Sequence, residues 1–388
     1  MKFAERMDRF GEGIFFELGA IKNGFLAAGK RVVDLSVGAP SLSPAPHIID
    51  ALVTAANDGR NYVYGINDGD ELLQAVSEWY QRRYGVCLDP KTEIASLLGS
   101  QDGLAHISLA VVNPEELVLV PDPCYPIYRG GVFLADAQLH FMPQRPENGC
   151  VIDLSEIPIE IAEKAKLMIV SYPNNPTSSI ASPSFYRDLI EFAKKYNIIV
   201  LHDNTYSELV FDSKVTGSFL SYEGAFDVGI EFNSLSKSYS LAGARIGFAL
   251  GNKDVIGCLK KIKSNIDLGM FIPFQKAAIA ALTGPQDCIT ETRAAYKKRR
   301  DILVEGLNSI GWEIEKPAAT FYVWTRIPPR FKCDKEFALQ LVQKTGVLVI
   351  PGSSFGEAGA GYVRMAFVQN EEDLLWAVES IEKSGILA

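Results

Sequence analysis

Leu167-Met168-Ile169-Val170-Ser171-Tyr172-Pro173-Asn174-Asn175-Pro176-Thr177 is an apolar run that ends in a proline-rich polar turn. An apolar run without polar alternation reads as a strand covered on both faces, the habit of parallel sheets. The same texture returns in Ile94–Leu98, Glu116–Pro121, Ile198–His202 and Ile246–Gly251, beside helical patterns. Pro183 to Asn197, with Ser182 as N-cap and Phe185, Leu189 and Phe192 on one face, predicts the helix crossing between two such strands. The alternation predicts an α/β fold: a mainly parallel central sheet with helices on both faces.

Beyond about Pro273 the texture changes. A charged helix, Thr290 to Ile310, precedes Phe321–Trp324 and Val347–Ile350, which read as strands of a smaller α+β unit. A chain of 388 residues suits two packed domains. The expected division is a large domain at 41–273 and a small one at 274–388, with residues 1–40 returning to the small one. The net charge of −9 argues against nucleic acid and anionic membrane surfaces as partners. Six scattered cysteines, with no C-x-x-C and no nearby histidine, read as reduced thiols and give no metal site. Met1-Lys2-Phe3-Ala4-Glu5-Arg6 carries charge where a secretory segment is apolar, and no apolar run is long enough for a membrane span. A cytoplasmic protein is expected.

Several polar groups fall where strands end. Ser234-Leu235-Ser236-Lys237, with Arg245 shortly after, sets two hydroxyls and a guanidinium beside one lysine, a combination suited to phosphate. Asn175 stands in the turn after the run 167–170, and Asp203 follows Ile198–His202 with Tyr206 one turn on. Gly99-Ser100-Gln101-Asp102-Gly103 joins a strand to a helix start, where free N–H groups attract anions. Asp122-Pro123-Cys124-Tyr125-Pro126-Ile127-Tyr128 follows another strand, and Tyr125 offers a flat face to a ring. Taken singly, these have bland readings as a surface loop, a plain turn, a helix cap, a glycine-flanked turn and a core aromatic.

Together and in this order they resemble the class I/II aminotransferases, the fold type I branch of pyridoxal-phosphate enzymes, over nearly the whole chain. The resemblance implies roles. Lys237 would hold pyridoxal 5'-phosphate as a Schiff base, and Asp203 would pair with the ring nitrogen and keep it protonated. Asn175 and Tyr206 would bond the phenolic oxygen, Tyr125 would stack on the ring, and Ser100, Gln101, Ser234, Ser236 and Arg245 would hold the phosphate. In Gly361-Tyr362-Val363-Arg364-Met365-Ala366-Phe367, Arg364 matches the arginine that grips the substrate α-carboxylate. Leu35-Ser36-Val37-Gly38-Ala39-Pro40 is similar to the turn whose glycine, here Gly38, faces it. Tyr64, in Tyr62-Val63-Tyr64-Gly65-Ile66, matches a tyrosine that reaches the neighbouring subunit's phosphate, implying a homodimer with shared sites. The substrate side-chain pocket would draw on Phe15. One position departs from the pattern: the usual glycine after Pro-Thr is Ser178.

The expected activity is transfer of an amino group between an L-amino acid and a 2-oxo acid, with 2-oxoglutarate as acceptor. Gly99–His106 and Asp122–Pro126 look similar to the bacterial LL-diaminopimelate aminotransferases, although aspartate, alanine and aromatic aminotransferases share much of them. A carbon–sulfur β-lyase on the same fold would use the same cofactor and lysine. A remoter reading is a serine acyl enzyme, from Ser234-x-x-Lys237, Tyr172-Pro173-Asn174 and Lys344-Thr345-Gly346. The Y-x-N precedes the S-x-x-K, the wrong order for such enzymes. The K-T-G reads instead as a helix end.

Overall fold

Neighbouring residues of the run 167–170 enter different cores. In the computed structural model, which describes residues 1–10, 14–212 and 216–387 and only the backbone of 14–16, Leu167 and Ile169 pack with Leu104, Tyr128 and Val255. Met168 and Val170 pack with Val76, Leu189 and Ala278. Each fully buried side chain of this kind stabilises the fold by roughly 1.5–3 kcal/mol. Both faces of the strand are covered, so polar alternation is absent.

Strand β1 (Val33–Asp34) lies apart from this sheet. The next strands are β2 (Ile94–Leu97), β3 (Leu117–Asp122), β4 (Gln138–Pro143), β5 (Ala165–Ser171), β6 (Ile199–Asp203), β7 (Gly229–Ser234) and β8 (Gly247–Gly251). They form a seven-stranded sheet in the order β2-β8-β7-β6-β5-β3-β4. Only β8 runs against the others. The helix Pro183–Tyr196 links β5 to β6 as the sequence predicts. Ser182 Oγ accepts from Phe185 N at 3.3 Å, and left-handed Asn197 ends the helix.

A third core gathers elements from both ends of the chain. β9 (Tyr322–Arg326), β10 (Val347–Leu348), β11 (Ile350–Pro351) and β12 (Tyr362–Ala366) follow in sequence. β11, β12 and β9 make a three-stranded sheet with β9 at one edge, while β1 pairs with β10. Val33 and Leu35 are buried with Leu303, Phe337 and Leu374 in this core. Tyr206, Leu209 and Phe211 enter it too, so the chain leaving β6 crosses directly from the sheet into this core. The helix Ile272–Thr283 packs on helices Pro46–Ala56 and Asp70–Tyr84 in the larger core. The long charged helix spans Asp287–Ser309, starting ahead of the predicted Thr290 because Ile289 is buried against the larger core.

Candidate active site

In an open parallel sheet the crevice lies at the carboxyl ends of the strands. Asp203 is the last residue of β6, Ser234 the last of β7, Asn175 follows β5, and Ser100 and Tyr125 follow β2 and β3. Arg245 precedes β8, and because β8 runs in reverse, it reaches the same edge. One cavity of about 570 Å³ is lined by Gly38, Ser100, Gln101, Tyr125, Asn175, Asp203, Tyr206, Ser234, Ser236, Lys237, Arg245 and Arg364. The geometry thus brings together every sequence-predicted site residue except Tyr64 and Phe15. Tyr64 is 79% exposed and lies on another surface, while the Phe15 side chain lies outside the described residues.

Lys237 sits in the short helix Leu235–Ser238, which Ser234 caps by accepting from Ser236 N. Its Nζ donates to Gly38 O at 2.8 Å and lies 5.3 Å from the centre of the Phe321 ring. Burial, reinforced by Arg364 and Arg245 and opposed by Asp203, lowers its pKa to about 8. About a tenth to a fifth of the amine is therefore neutral near physiological pH, far more than for an ordinary lysine.

Asp203 is buried and bonded by neutral donors. Tyr128 Oη donates to Oδ2 at 2.7 Å, while Thr205 N and Oγ1 donate to Oδ1 at 3.2 and 2.7 Å. The Tyr206 hydroxyl lies 3.0 Å from that of Tyr322. Burial first, then the neighbouring Tyr322, raises the pKa of Tyr206 well above the ordinary phenol value, so it stays protonated.

Arg364, on β12, is 4% exposed and is held by neutral groups alone. Nη1 donates to Asn175 Oδ1 and Nη2 to Ser36 O, both at 2.8 Å. Its guanidinium carbon lies 4.2 Å from the Tyr322 ring centre and 4.7 Å from that of Phe355. Nε has no partner, and among the described residues no carboxylate pairs with this charge. A buried guanidinium without a counter-ion is costly, which makes this end of the cavity a place for an anion.

Another part of the cavity has the makings of a phosphate cradle. The helix Ser100–Val111 starts at Gly99 with no side-chain cap, leaving amide groups of its first turn for a ligand. At Gly99 φ is +78°, and a Cβ there would lie 2.3 Å from Arg245 Nη2. At Gly247 a Cβ would lie 2.7 Å from Ser100 N. Bare glycines thus let Arg245 and the helix start close on one point, with the Ser234 and Ser236 hydroxyls lining the same cavity. This part fits a phosphoryl group, and the desolvated amine of Lys237 fits an aldehyde.

The family pattern of aminotransferase class I and II matches residues 30–381. The chain belongs to this family. It is 47% identical over 358 residues to the LL-diaminopimelate aminotransferase of Moorella thermoacetica, covering 92% of this chain and 91% of the relative. With the LL-diaminopimelate aminotransferase of Syntrophobacter fumaroxidans it is 44% identical, with 98% of each chain covered. Substrate-bound BacF from Bacillus subtilis superposes with a TM-score of 0.95 at 36% identity, covering 99% of this chain and 98% of that one. The chain is therefore a fold type I aminotransferase, and members of its class use pyridoxal phosphate.

Four residues of this aminotransferase site escape a reading of sequence alone: Tyr128, Thr205, Ser36 and Tyr322. Tyr128 stands inside the stretch that singles out Tyr125, and Thr205 is two residues past Asp203, the spacing of a carboxylate that caps its own turn. Tyr322 sits in a stretch whose apolar texture marks it only as a strand. Among the described residues, Asp102, His106 and Asp267 form one group with metal-ligand spacing. Lys263 already bonds both carboxylates, so its ammonium fills the role of the cation. No helix of the described residues is long and apolar enough to cross a membrane.

Proposed function

We propose that this aminotransferase holds pyridoxal 5'-phosphate covalently on Lys237 and moves an amino group from LL-diaminopimelate to 2-oxoglutarate. One observation carries the reading: a desolvated lysine amine and a buried arginine without a counter-ion share one cavity with a phosphate cradle. Ser100, Gln101, Ser234, Ser236 and Arg245 would hold the phosphate, Tyr125 the ring face, and Asp203 the ring nitrogen. Asn175 Oδ1 is committed to Arg364, so its Nδ2 is the end left to bond the phenolic oxygen, together with Tyr206. When bound, the cofactor supplies an electron sink for the pair left at Cα as its proton departs.

The remaining tasks belong to the chain. Arg364 keeps Nε–H and the second protons of Nη1 and Nη2 for the substrate α-carboxylate, which orients the Cα–H bond. The Lys237 amine, its basicity lowered, takes that proton and returns one on the far side of the reaction. Asp203, bonded only by neutral donors, favours a cationic partner at the ring nitrogen.

The cations lining the cavity are Lys237, Arg245 and Arg364, each with a task already, so among the described residues no further fixed cation meets the distal end of a substrate. The distal end of LL-diaminopimelate is a zwitterion of zero net charge, which polar groups can satisfy. Two relatives that carry the name LL-diaminopimelate aminotransferase over nearly the full chain support the same donor. The exposed run Tyr62, Val63, Tyr64 and Ile66 supports a homodimer in which Tyr64 completes the partner's phosphate site. For the domains, the proposed small unit comprises residues 14–40, where Leu18 packs with Val342, and the chain after Thr283, because the helix Ile272–Thr283 packs with the larger core; residues 5–10 lie instead on the large domain, where Arg6 pairs with Asp136 and Phe10 meets Phe133.

The test is a half-reaction screen. The yellow enzyme is mixed with LL-diaminopimelate, aspartate, alanine, aromatic amino acids and cystathionine, and conversion to the pyridoxamine form is followed by absorbance. LL-diaminopimelate should convert fastest. Strict use of aspartate, or pyruvate and ammonia from cystathionine without the pyridoxamine form, would overturn the proposal.

A further inference from the structure

Ser178 occupies a backbone conformation that disfavours any side chain: its φ is +61°, in the left-handed region. It is also the one position where the sequence departs from the pattern it otherwise resembles, which has glycine there. The serine is buried and its hydroxyl is fully engaged. It donates to Tyr322 O at 2.9 Å and lies 2.7 Å from Thr320 Oγ1, which in turn accepts from Tyr322 N at 3.0 Å. A hydroxyl has one proton. With that of Ser178 given to Tyr322 O, the Thr320 hydroxyl must be the donor to Ser178. The bonds therefore close a ring: Tyr322 N–H to Thr320, Thr320 to Ser178, and Ser178 back to Tyr322 C=O.

The ring sits where the backbone needs it. Tyr322 starts β9, the edge strand of its sheet. Among the described residues no strand neighbours its outward N–H and C=O, and buried edge groups need partners. Both sides of the ring also bear on Arg364. Ser178 N donates to Asn174 O at 3.0 Å and so closes the turn carrying Asn175, which accepts from Arg364 Nη1. Tyr322 presents its ring to the same guanidinium at 4.2 Å and its hydroxyl to Tyr206.

We propose that Ser178 is a positioning residue: through the hydroxyl ring it locks the Asn175 turn to the Tyr322 strand and so fixes the arginine that receives the substrate carboxylate. The inference rests on the reading of Arg364 given above. Donor and acceptor both bring an α-carboxylate to Arg364, so an effect through this arginine must touch both.

The test uses cofactor-loaded enzyme and three variants. Ser178→Gly suits the positive φ and removes the whole hydroxymethyl group; Ser178→Ala removes only the hydroxyl and keeps the Cβ. Both should raise KM for the amino donor and for the 2-oxo acid by a common factor, about three- to tenfold. The value of kcat should stay within about twofold, and pyridoxal phosphate affinity should not change. Unchanged KM values in both serine variants would overturn the inference. So would a loss confined to Ser178→Ala, which would assign the effect to backbone strain instead of the hydroxyl. Arg364→Lys separates the two levels of the argument. If it raises both KM values while the serine variants do not, the inference alone fails. If it leaves both unchanged, the carboxylate reading of Arg364 fails and takes the inference with it.

Discussion

Replacing Gly99 by alanine puts one methyl group into the phosphate cradle. At φ +78° and ψ 156° the backbone lies in a region nearly confined to glycine, so any Cβ costs roughly 1–3 kcal/mol in strain. The new methyl would sit 2.3 Å from Arg245 Nη2 and 2.7 Å from its Cζ, which forces the guanidinium off the helix start. A hydrogen bond to a charged group contributes about 1.5–3 kcal/mol, so losing that of Arg245 should weaken phosphate binding roughly 10- to 150-fold. The assay is titration of cofactor-free Gly99→Ala and wild-type enzyme with pyridoxal phosphate and with pyridoxal, which has no phosphate. Affinity for the phosphate form should fall by that factor while pyridoxal binding changes little. An equal loss for both ligands, or no loss for either, would refute the cradle.

Asp203→Asn should fold and bind cofactor but lose about 10²- to 10³-fold in kcat, the scale of one preorganised electrostatic contact; near-wild-type turnover would contradict the ring-nitrogen role. Burial, with Arg364 and Arg245, brings Lys237 down to about 8, so covalent capture of pyridoxal phosphate by cofactor-free enzyme should accelerate as pH rises through about 8, and an inflection near 10 would count against the burial account. The unfolded chain keeps that lysine protonated up to its ordinary value of 10.5 and so binds more protons between about 8 and 10.5; cofactor-free enzyme should gain stability with pH in that window relative to Lys237→Met, as denaturant titrations would show. Mixing Lys237→Ala and Tyr64→Ala chains, each inactive alone, should restore activity through mixed dimers with one intact site; failure despite measured subunit exchange would remove Tyr64 from the shared site.

The fold was legible because its strands are buried on both sides. The run 167–170 splits its residues between two cores, so the pattern shows an apolar block that only a covered parallel sheet explains. The site was legible for a related reason: Asn175, Asp203, Ser100 and Tyr125 each stand just past a strand, and the topology carries those ends to one edge. Arg245 joins them through the reversal of β8, which sequence does not reveal. Tyr322 was hidden because an edge strand with one face on a cavity has the same apolar texture as a core strand. The Ser178–Thr320 ring was out of reach because its members lie 142 residues apart and meet only through the packing of β9 against the Asn175 turn. Tyr64 remains apart from the cavity, as a residue given to another subunit would be in a single chain.

The most direct test of the account is to find which lysine carries the cofactor. Enzyme loaded with pyridoxal phosphate is reduced with borohydride, digested, and its peptides mapped by mass. The pyridoxyl group should lie on Lys237 at close to one per chain, and Lys237→Ala should carry none. A stoichiometric pyridoxyl group on any other lysine would contradict the assignment of Lys237, and with it the roles of Asp203, Arg245 and Arg364 built around it.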